Sequence, residues 1–340
     1  MALMLQQMAE ALVKTADLIE EADREAAGFF EITEDIRDGA LGEFAPHSSD
    51  PNPDFDGVDG SANYTDGPVN GQPFIPGVPA IALQHIPEEH WFANDATAIH
   101  PSDIDQGGLG DCYLMSSLAA LARTEEGRAS IANMIRYDEA KGVYVVTLYK
   151  RPGPFGSQYE PVEIELTPEF PLRADGTPAF AGSGDAVGGQ VELWPMLIEK
   201  AYAKHHGGYD EVEGGWGNIA MEELTGVPSE KFSPSDMDID QLSDRFDAGD
   251  AITVSSIVNL KIKNEKLGID WDIPDASDTN PLFQNGTLCP NHEYYITNVD
   301  RAAGVISIRN PWGWDRDEIH LAFAEFQDAF RRASVNSLGP

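Results

Sequence analysis

The chain has 340 residues, and its 22 basic and 58 acidic side chains give a formal net charge of −36. Such a negative field argues against nucleic acids and anionic membranes as partners. Two cysteines are too few for a disulfide framework, and no stretch approaches the roughly 20 apolar residues that span a bilayer. The N-terminus lacks the features of a signal peptide, so a cytoplasmic protein is expected, and the abrupt ends suggest a fragment of a longer chain.

Residues 1–45 predict an amphipathic helical segment, because apolar side chains recur there at alternating spacings of three and four. The apolar stripe must be buried against something. Docking on the protein's own core, self-association and an inhibitory pro-segment are three interpretations that the pattern leaves open.

Residues 46–79 predict an acidic linker, because Pro, Gly, Asp, Asn and Ser replace the periodic pattern. Asn52, Asp54 and Asp56 fill the first half of a calcium-loop pattern. Asn63 stands where that pattern needs Glu, which favours a solvated acidic loop over a calcium site.

A glycine-broken loop then runs into an apolar helix. Gly107, Gly108 and Gly110 precede Cys112, which opens the predicted helix. A thiol in the first helical turn faces unpaired N–H groups and the positive end of the helix dipole, and both favour the thiolate. Asp111 opposes this unless its carboxylate points away or caps the helix. From this context alone, Cys112 is either a nucleophile or a small buried side chain.

The rest of the chain mixes short strands and helices, which predicts an α+β fold. Strands are predicted over 141–149, 162–166 and 251–258, and helices over 192–204, 218–225, 240–247 and 321–330.

Two apolar, β-branched runs near the end predict an antiparallel hairpin over 292–310. In a hairpin, the start of the first strand lies across from the end of the second. Pairing centred near Arg301 therefore places His292 beside Asn310, as a base and its orienting partner require.

These residues form the constellation of a cysteine hydrolase. Such an enzyme needs a thiolate, an imidazole within hydrogen-bond reach and a third group that orients the ring. Cys112, His292 and Asn310 supply them in that order. Gln106, across the glycine turn, could offer its side-chain amide to an oxyanion, with the Cys112 backbone N–H as the second donor.

The same residues carry a specific resemblance. Residues 106–114 (Gln-Gly-Gly-Leu-Gly-Asp-Cys-Tyr-Leu) resemble the nucleophile motif of the calpain family of cysteine proteases. Residues 292–297 resemble its histidine motif, and 309–313 its asparagine motif. The segment 192–204 and the glycines that follow are similar to the part that links the family's two core subdomains. The matched blocks occur in the family's order and cover residues 80 to 332.

The resemblance implies a papain-like fold split into two subdomains behind the N-terminal helical appendage. Residues 80–213 would form a mostly helical subdomain with the cysteine, and 214–340 a mostly β subdomain with the histidine and asparagine. It also implies an endopeptidase that hydrolyses internal peptide bonds of protein substrates through a Cys-His-Asn triad and a thioester acyl-enzyme.

The resemblance assigns roles residue by residue. Cys112 would be the nucleophile, His292 the base and acid, Asn310 the orienter and Gln106 the oxyanion donor. The implied substrate-binding residues are Gly214, Gly215 and Trp312, and Trp312 would also shield the Asn310–His292 hydrogen bond from water.

Calcium is the cofactor that the resemblance implies. In the first of two family sites, carboxylates match Asp103 and Glu192, and backbone carbonyls fall at Ala96 and Ala98. Oxygen ligands from two segments suit Ca²⁺. In the second site the family's long acidic loop is largely missing, and Glu318 alone lies near an expected ligand position.

The chain departs from the family beside the histidine. Asn291 and Glu293 flank His292 where the family favours Gly and Ala, which alters the charge next to the base. This leaves open a catalytically silent calpain-like module that binds calcium or partners. A transglutaminase-type acyl transfer is a third alternative. Oxidation could also join Cys289 to Cys112 and switch an enzyme off.

Overall fold

The structure is a computed structural model that describes residues 81–82, 99–151, 158–167, 169–171, 178–183, 193–257, 261–264, 269–272, 279–314 and 316–339. The predictions for segments 1–45 and 46–79, including the calcium-like loop, fall outside these residues. In the part of the chain that is described, no helix has both the length and the apolar character needed to cross a membrane.

The described elements are short, and helices and strands are mixed along the chain. The helices are α1 (Cys112–Ala122), α2 (Glu125–Met134), α3 (Trp194–His206), α4 (Gly217–Thr225), α5 (Ile239–Asp247), α6 (Pro281–Gln284) and α7 (Phe323–Ala329). The first strands are β1 (Ile81–Ala82), β2 (Ile104–Asp105), β3 (Ile135–Asp138), β4 (Val143–Lys150), β5 (Glu160–Leu166), β6 (Glu169–Phe170), β7 (Gly182–Ser183) and β8 (Ser229–Phe232). The later strands are β9 (Ala251–Ser256), β10 (Lys261–Asn264), β11 (Ile269–Asp272), β12 (Glu293–Asp300), β13 (Val305–Arg309), β14 (Ile319–Ala322) and β15 (Phe330–Asn336).

Helix α1 is the most buried helix of the fold. Every residue from Tyr113 to Ala122 is buried. A helix that is apolar around its whole circumference must be packed on all sides. The predicted helix after the glycine loop is therefore confirmed, and its first residue is Cys112.

The largest sheet has six antiparallel strands in the order β14-β13-β12-β9-β15-β8. Strands β12 and β13 form the predicted hairpin, with Tyr295 opposite Arg309 and Asp300 opposite Val305. A bulge between Ile296 and Asn298 shifts the register within this pair. A separate three-stranded antiparallel sheet has the order β3-β4-β5.

The prediction of one closing helix over 321–330 is wrong at both ends. Leu321 belongs to β14, and the chain from Phe330 onward forms β15 between β9 and β8. Two consecutive charged residues, Arg331 and Arg332, interrupt the alternation of apolar and polar residues by which a strand is recognised in a sequence. Both guanidinium groups instead lie over the ring of Trp216, at 4.6 and 3.9 Å from its centroid.

Helix α2 was not predicted either. It begins after Thr124, whose hydroxyl accepts a hydrogen bond of 2.9 Å from the Gly127 backbone N–H. This N-cap could have been recognised in the sequence, but the helix carries few apolar residues, so its periodicity is weak.

Two clusters of buried apolar side chains hold the elements together. The first core surrounds α1 and includes Leu114, Leu118, Tyr144, Trp194 and Leu224. The second core lies on the six-stranded sheet and includes Ile252, Val254, Ile296, Ile306 and Phe326. Cys112 begins the central helix of the first core, and His292 precedes a strand of the second.

Candidate active site

The loop before Cys112 is held by its backbone against two other segments. The N–H of Gly108 donates to the Ala179 carbonyl at 3.0 Å, and the N–H of Gly214 donates to the Gly110 carbonyl at 2.9 Å. A Cβ at Gly107 would overlap the backbone carbonyl of Phe180. The loop therefore needs glycine at 107 for close packing, whereas a Cβ at Gly110 would meet nothing nearer than 3.8 Å.

Helix α1 docks on the open end of strand β12. Strand β13 pairs with β12 only from Tyr295 onward, so at Glu293 this edge of the strand faces α1 instead. The Ser116 hydroxyl donates to the Glu293 carbonyl oxygen at 2.9 Å. Cys112 lies four residues earlier, on the same face of α1, so that the Glu293 backbone N–H acts on its sulfur and lowers the pKa of the thiol. The thiol therefore lies against the residue that follows His292.

The second half of the site is a fixed His–Asn pair. His292 Nε2 lies 2.9 Å from Asn310 Oδ1, as the hairpin predicted. The Trp312 backbone N–H also donates to Oδ1, at 3.1 Å, which identifies this atom as the amide oxygen. Nε2 must therefore carry the hydrogen, and in the neutral ring Nδ1 carries the lone pair.

The indole of Trp312 covers this pair. Its ring centroid lies 4.7 Å from that of His292, at an interplanar angle of 43°. The Tyr294 ring also meets the imidazole edge to face, at 4.9 Å between ring centroids. His292 is consequently only 8% exposed, and its ring has little freedom to turn.

Gln106 lies at the start of the glycine loop, but its amide is partly engaged. Its Nε2 donates to the Leu109 carbonyl oxygen at 2.7 Å. Its backbone N–H donates to the Pro311 carbonyl oxygen at 2.9 Å, which ties it to the segment after Asn310. Only the second hydrogen of Nε2 can therefore serve an oxyanion.

The position of Cys112 at a helix terminus predicted a stabilised thiolate, but the rest of the site disfavours it. Burial raises the pKa of Cys112 to about 12, and the charges of Glu293 and Asp111 add to the rise. Hydrogen bonds from the backbone N–H groups of Glu293 and Tyr113 act in the opposite direction. The thiol keeps some solvent exposure, but the surrounding protein removes most of the water that would stabilise a thiolate.

Asp111 forms a buried acidic pair with Glu199, which the sequence analysis missed. Asp111 is the N-cap residue of α1 but makes no side-chain cap bond, and no N–H or O–H donor in the described residues reaches its carboxylate within hydrogen-bonding geometry. The Glu199 carboxyl faces it and accepts a hydrogen bond from the Ala181 N–H at 2.9 Å. Two acceptor-only groups in contact require a shared proton.

Burial sets the ionisation of this pair. It raises the pKa of Asp111 from 3.8 to about 7, and the charge of Glu213 adds to the rise. Burial and the charge of Asp111 raise the pKa of Glu199 well above its ordinary value. Because the helix of Glu199 also carries Lys200 and Lys204, nothing in the sequence singles out Glu199 as a buried carboxyl.

The fold requires glycine at the two positions assigned to substrate binding for different reasons. Gly214 has a positive φ of 75°, and a Cβ there would meet nothing within 4 Å. A Cβ at Gly215 would lie 2.5 Å from the Tyr113 ring. Gly215 is thus required for packing on α1, whatever it also does for a substrate.

The residues assigned to calcium are only partly described. Ala96, Ala98 and Glu192 lie outside the described residues. The Asp103 carboxylate is buried and accepts from the His100 N–H at 2.7 Å and from Trp194 Nε1 at 3.1 Å.

Glu318, the candidate for the second site, accepts a 2.6 Å hydrogen bond from the Thr297 hydroxyl. Its carboxylate also lies 3.9 Å from Arg309 and 3.7 Å from His320. The Thr297 hydroxyl and the Arg309 guanidinium already partner this carboxylate, which suits an ion pair better than a cation site. Within the described ranges, no cluster of three or more His, Cys, Asp or Glu could hold a metal ion.

Comparison with known proteins identifies the family of this chain. Residues 83–329 match the family described as "Calpain family cysteine protease". The chain is 32% identical over 223 residues to the calpain-type cysteine protease DEK1 of Arabidopsis thaliana, which covers 65% of this chain and 9% of the plant protein. It is 28% identical over 219 residues to human calpain-9, covering 62% of this chain and 28% of that protein.

The human calpain-2 catalytic subunit is 29% identical over 225 residues, with 62% of this chain and 28% of the subunit covered. This chain therefore corresponds to less than a third of the length of these relatives. The mixed arrangement of helices and antiparallel strands is consistent with a calpain protease core. By its family match, this chain belongs to the calpain family of cysteine proteases.

Proposed function

We propose that the chain is the catalytic core of a cysteine endopeptidase that hydrolyses internal peptide bonds of protein substrates. One observation carries the proposal. The imidazole of His292 is held by Asn310 at 2.9 Å, directly before the strand against which the helix that begins at Cys112 is docked. A nucleophile, a base and an orienting group thereby come together at one end of the hairpin.

In the proposed acylation, Nδ1 of His292 takes the proton from the Cys112 thiol. The sulfur attacks the carbonyl carbon of the scissile peptide bond, and the carbonyl π electrons move to oxygen. The Cys112 backbone N–H and the second hydrogen of Gln106 Nε2 would stabilise this oxyanion. When the intermediate collapses, the C–N bond breaks, His292 gives its proton to the leaving amine, and a thioester on Cys112 remains.

In the proposed deacylation, His292 takes a proton from water, and the resulting hydroxide attacks the thioester carbonyl. The C–S bond then breaks, the carboxylic acid leaves, and the proton returns to the Cys112 sulfur. Asn310 keeps the imidazole in the tautomer that both steps need, and Trp312 keeps water from the His–Asn hydrogen bond.

We also propose the papain-like division into subdomains 80–213 and 214–340, with the cleft between them. The two hydrophobic cores support it, because the first contains α1 and the second lies on the hairpin sheet. Helix α4 belongs to the first core although it follows residue 213.

Calcium activation through the first site is a further proposal, which rests on the family resemblance. Of its assigned ligands, Asp103 is the one that is described, and it lies at the base of the loop that leads to Cys112. A bound Ca²⁺ would supply positive charge that ties this loop to the start of α3.

The test is cleavage of casein by the full chain under reducing conditions, with and without calcium. Cys112→Ala should abolish cleavage, and Cys289→Ser, which removes the other thiol, should leave it intact. Persistent cleavage by purified Cys112→Ala protein would refute the assignment. Product masses from a defined peptide separate hydrolysis, which adds water, from a transglutaminase-type transfer, which adds an amine.

The second candidate is a catalytically silent calpain-like module that binds calcium or partners. The specific observation in its favour is the raised pKa of Cys112. Covalent labelling of Cys112 by an epoxysuccinyl inhibitor, without casein cleavage under any calcium concentration, would support a silent module that retains a reactive thiol. Absence of both would support a fully inert site.

A further inference from the structure

Glu293 is a buried carboxyl next to His292 that the proposed mechanism does not use. The residue is 3% exposed. Its Oε1 accepts a hydrogen bond of 2.6 Å from the Thr253 hydroxyl, and its Oε2 accepts one from the Ser255 hydroxyl. Both hydroxyls project from β9, where Ser255 lies directly opposite Glu293. The carboxylate is therefore fixed in one orientation by two donors.

The same residue contacts the nucleophile helix through its backbone. Its carbonyl oxygen accepts a hydrogen bond from the Ser116 hydroxyl, and its backbone N–H lowers the pKa of Cys112. Since Ser116 and Cys112 are one turn apart on the same face of α1, the two contacts are geometrically consistent. The carboxyl group and the thiol are thus fixed with respect to each other through one short piece of β12.

Helix α4 closes the third side of the carboxylate. A Cβ at Gly217, the first residue of α4, would lie 2.6 Å from Oε1 of Glu293. The Ser117 hydroxyl donates to the Gly217 carbonyl oxygen at 3.2 Å, which joins α4 to α1. The N-terminus of a helix carries partial positive charge and favours an ionised carboxylate beside it.

The charges around Glu293 and Cys112 come from three elements of the described chain. Asp111 adjoins Cys112 at the start of α1, Arg331 and Arg332 act from β15, and His292 and Tyr294 flank Glu293 at the start of β12. Strand β9 contributes only hydroxyls there, and α4 only its backbone. The arginines, the hydroxyls and the α4 terminus favour the carboxylate, whereas burial opposes it by raising the pKa of Glu293.

We propose that Glu293 is a positioning residue for the nucleophile: its caged carboxylate places a fixed negative charge beside Cys112 and sets the pH above which this thiol becomes reactive. The inference rests on the proposed role of Cys112. A fixed negative charge disfavours a nearby thiolate, because the two like charges repel each other in a site with little water to screen them. The hydroxyl cage keeps the charge at a constant distance from the sulfur.

The test is the pH dependence of Cys112 alkylation by iodoacetamide, in the full chain with Cys289→Ser so that one thiol remains. Glu293→Gln removes the charge and keeps the shape, and the Thr253 and Ser255 hydroxyls can turn to accept from the new amide. The midpoint is the pH at which alkylation reaches half its maximal rate. At pH values below the midpoints of both proteins, we expect the Glu293→Gln variant to be alkylated about tenfold faster than the parent, which corresponds to a midpoint about one pH unit lower.

Two comparisons keep the result interpretable. Glu163→Gln makes the same charge change at an exposed position on β5, and it should leave the midpoint unchanged. Glu293→Ala removes the charge without adding an amide, and serves if the glutamine variant does not fold.

A folded variant whose midpoint equals that of the parent would overturn the proposal, even if its thermal stability had fallen. The same holds if Glu163→Gln raises the alkylation rate by the same factor as Glu293→Gln, or if the increase persists at pH values above both midpoints. Alkylation does not require peptide cleavage. Failure of the protease assignment would appear as absent casein hydrolysis in the parent chain and would be distinguishable from either result.

Discussion

The backbone N–H of Gln106 donates a 2.9 Å hydrogen bond to the carbonyl oxygen of Pro311. This bond joins the residue proposed as oxyanion donor to the residue that directly follows Asn310. The loop before the nucleophile and the segment after the orienting asparagine are therefore positioned by one contact. A change in either segment should affect both the oxyanion donor and the imidazole.

Asn310→Ala should lower kcat by about 100-fold, the usual contribution of general base catalysis. The imidazole can act as the base only in the correct tautomer and ring orientation. The substitution removes the acceptor that holds His292 Nε2. Steady-state kinetics on a fluorogenic peptide measure the loss. Asn298→Ala, at an exposed position of β12, is the matched control and should keep parent activity. Equal activity of both variants would contradict the orienting role.

Trp312→Ala should lower kcat by about tenfold if the indole shields the His292–Asn310 hydrogen bond, which weakens when water competes for it. Trp312→Phe keeps an aromatic ring over the imidazole and should retain most of the activity. The ratio of the effects on kcat and KM separates shielding from substrate contact. A rise in KM with unchanged kcat would identify Trp312 as a substrate-binding residue instead.

Gly107→Ala should destabilise the fold by about 1–3 kcal/mol, the usual cost of forcing extra volume into a packed region. Its Cβ would overlap the Phe180 backbone, which cannot turn away as a side chain can. Gly110→Ala is the control in the same loop, because nothing lies nearer than 3.8 Å to its Cβ. Urea unfolding of the two variants measures the difference. Equal unfolding midpoints would show that the loop shifts freely.

The Asp111–Glu199 pair should make stability depend on pH. The pKa of Asp111 is 3.8 unfolded and about 7 folded, so the folded state holds its proton more tightly. The contribution to stability is therefore complete below pH 3.8 and is lost as pH rises through about 7. For Asp111 alone, the loss in the free energy of unfolding is on the order of 4 kcal/mol.

Glu199→Gln should flatten this dependence. The new side chain can still accept from the Ala181 N–H, while its amide donates to Asp111 and no second negative charge remains. Urea unfolding at a series of pH values between 4.5 and 8 measures the change. Glu163→Gln, which alters an exposed carboxylate on β5, should follow the parent. A variant with the same slope as the parent would show that the two carboxyls do not share a proton.

The sequence predicted the parts of the site that depend on local patterns. The apolar run after Cys112 is long enough to indicate a buried helix, and the hairpin spacing alone places His292 beside Asn310. Residues 1–79 and Glu192 lie outside the described chain, so their predictions still stand as predictions.

The electrostatics of the site could not be predicted in the same way. The helix terminus correctly indicates hydrogen-bond donors near Cys112. The carboxyls of Glu199 and Glu293, which also shape the charge of the site, come 87 and 181 residues after Cys112 in the chain. No local pattern shows which carboxyls become buried beside a given thiol. Strand β15 escaped recognition for a similar reason, because its two arginines are accommodated by Trp216, a contact between residues distant in sequence.

Strand β15 has a consequence for how the domain is delimited. The family match stops at residue 329, whereas Phe330–Asn336 lies inside the sheet, hydrogen-bonded to β9 on one side and to β8 on the other. A protein cut at the family boundary would leave β9, the strand that carries Thr253 and Ser255, with an unpaired edge. During synthesis, the sheet that presents the histidine can close only after residue 336 has been added, long after the cysteine helix has been made.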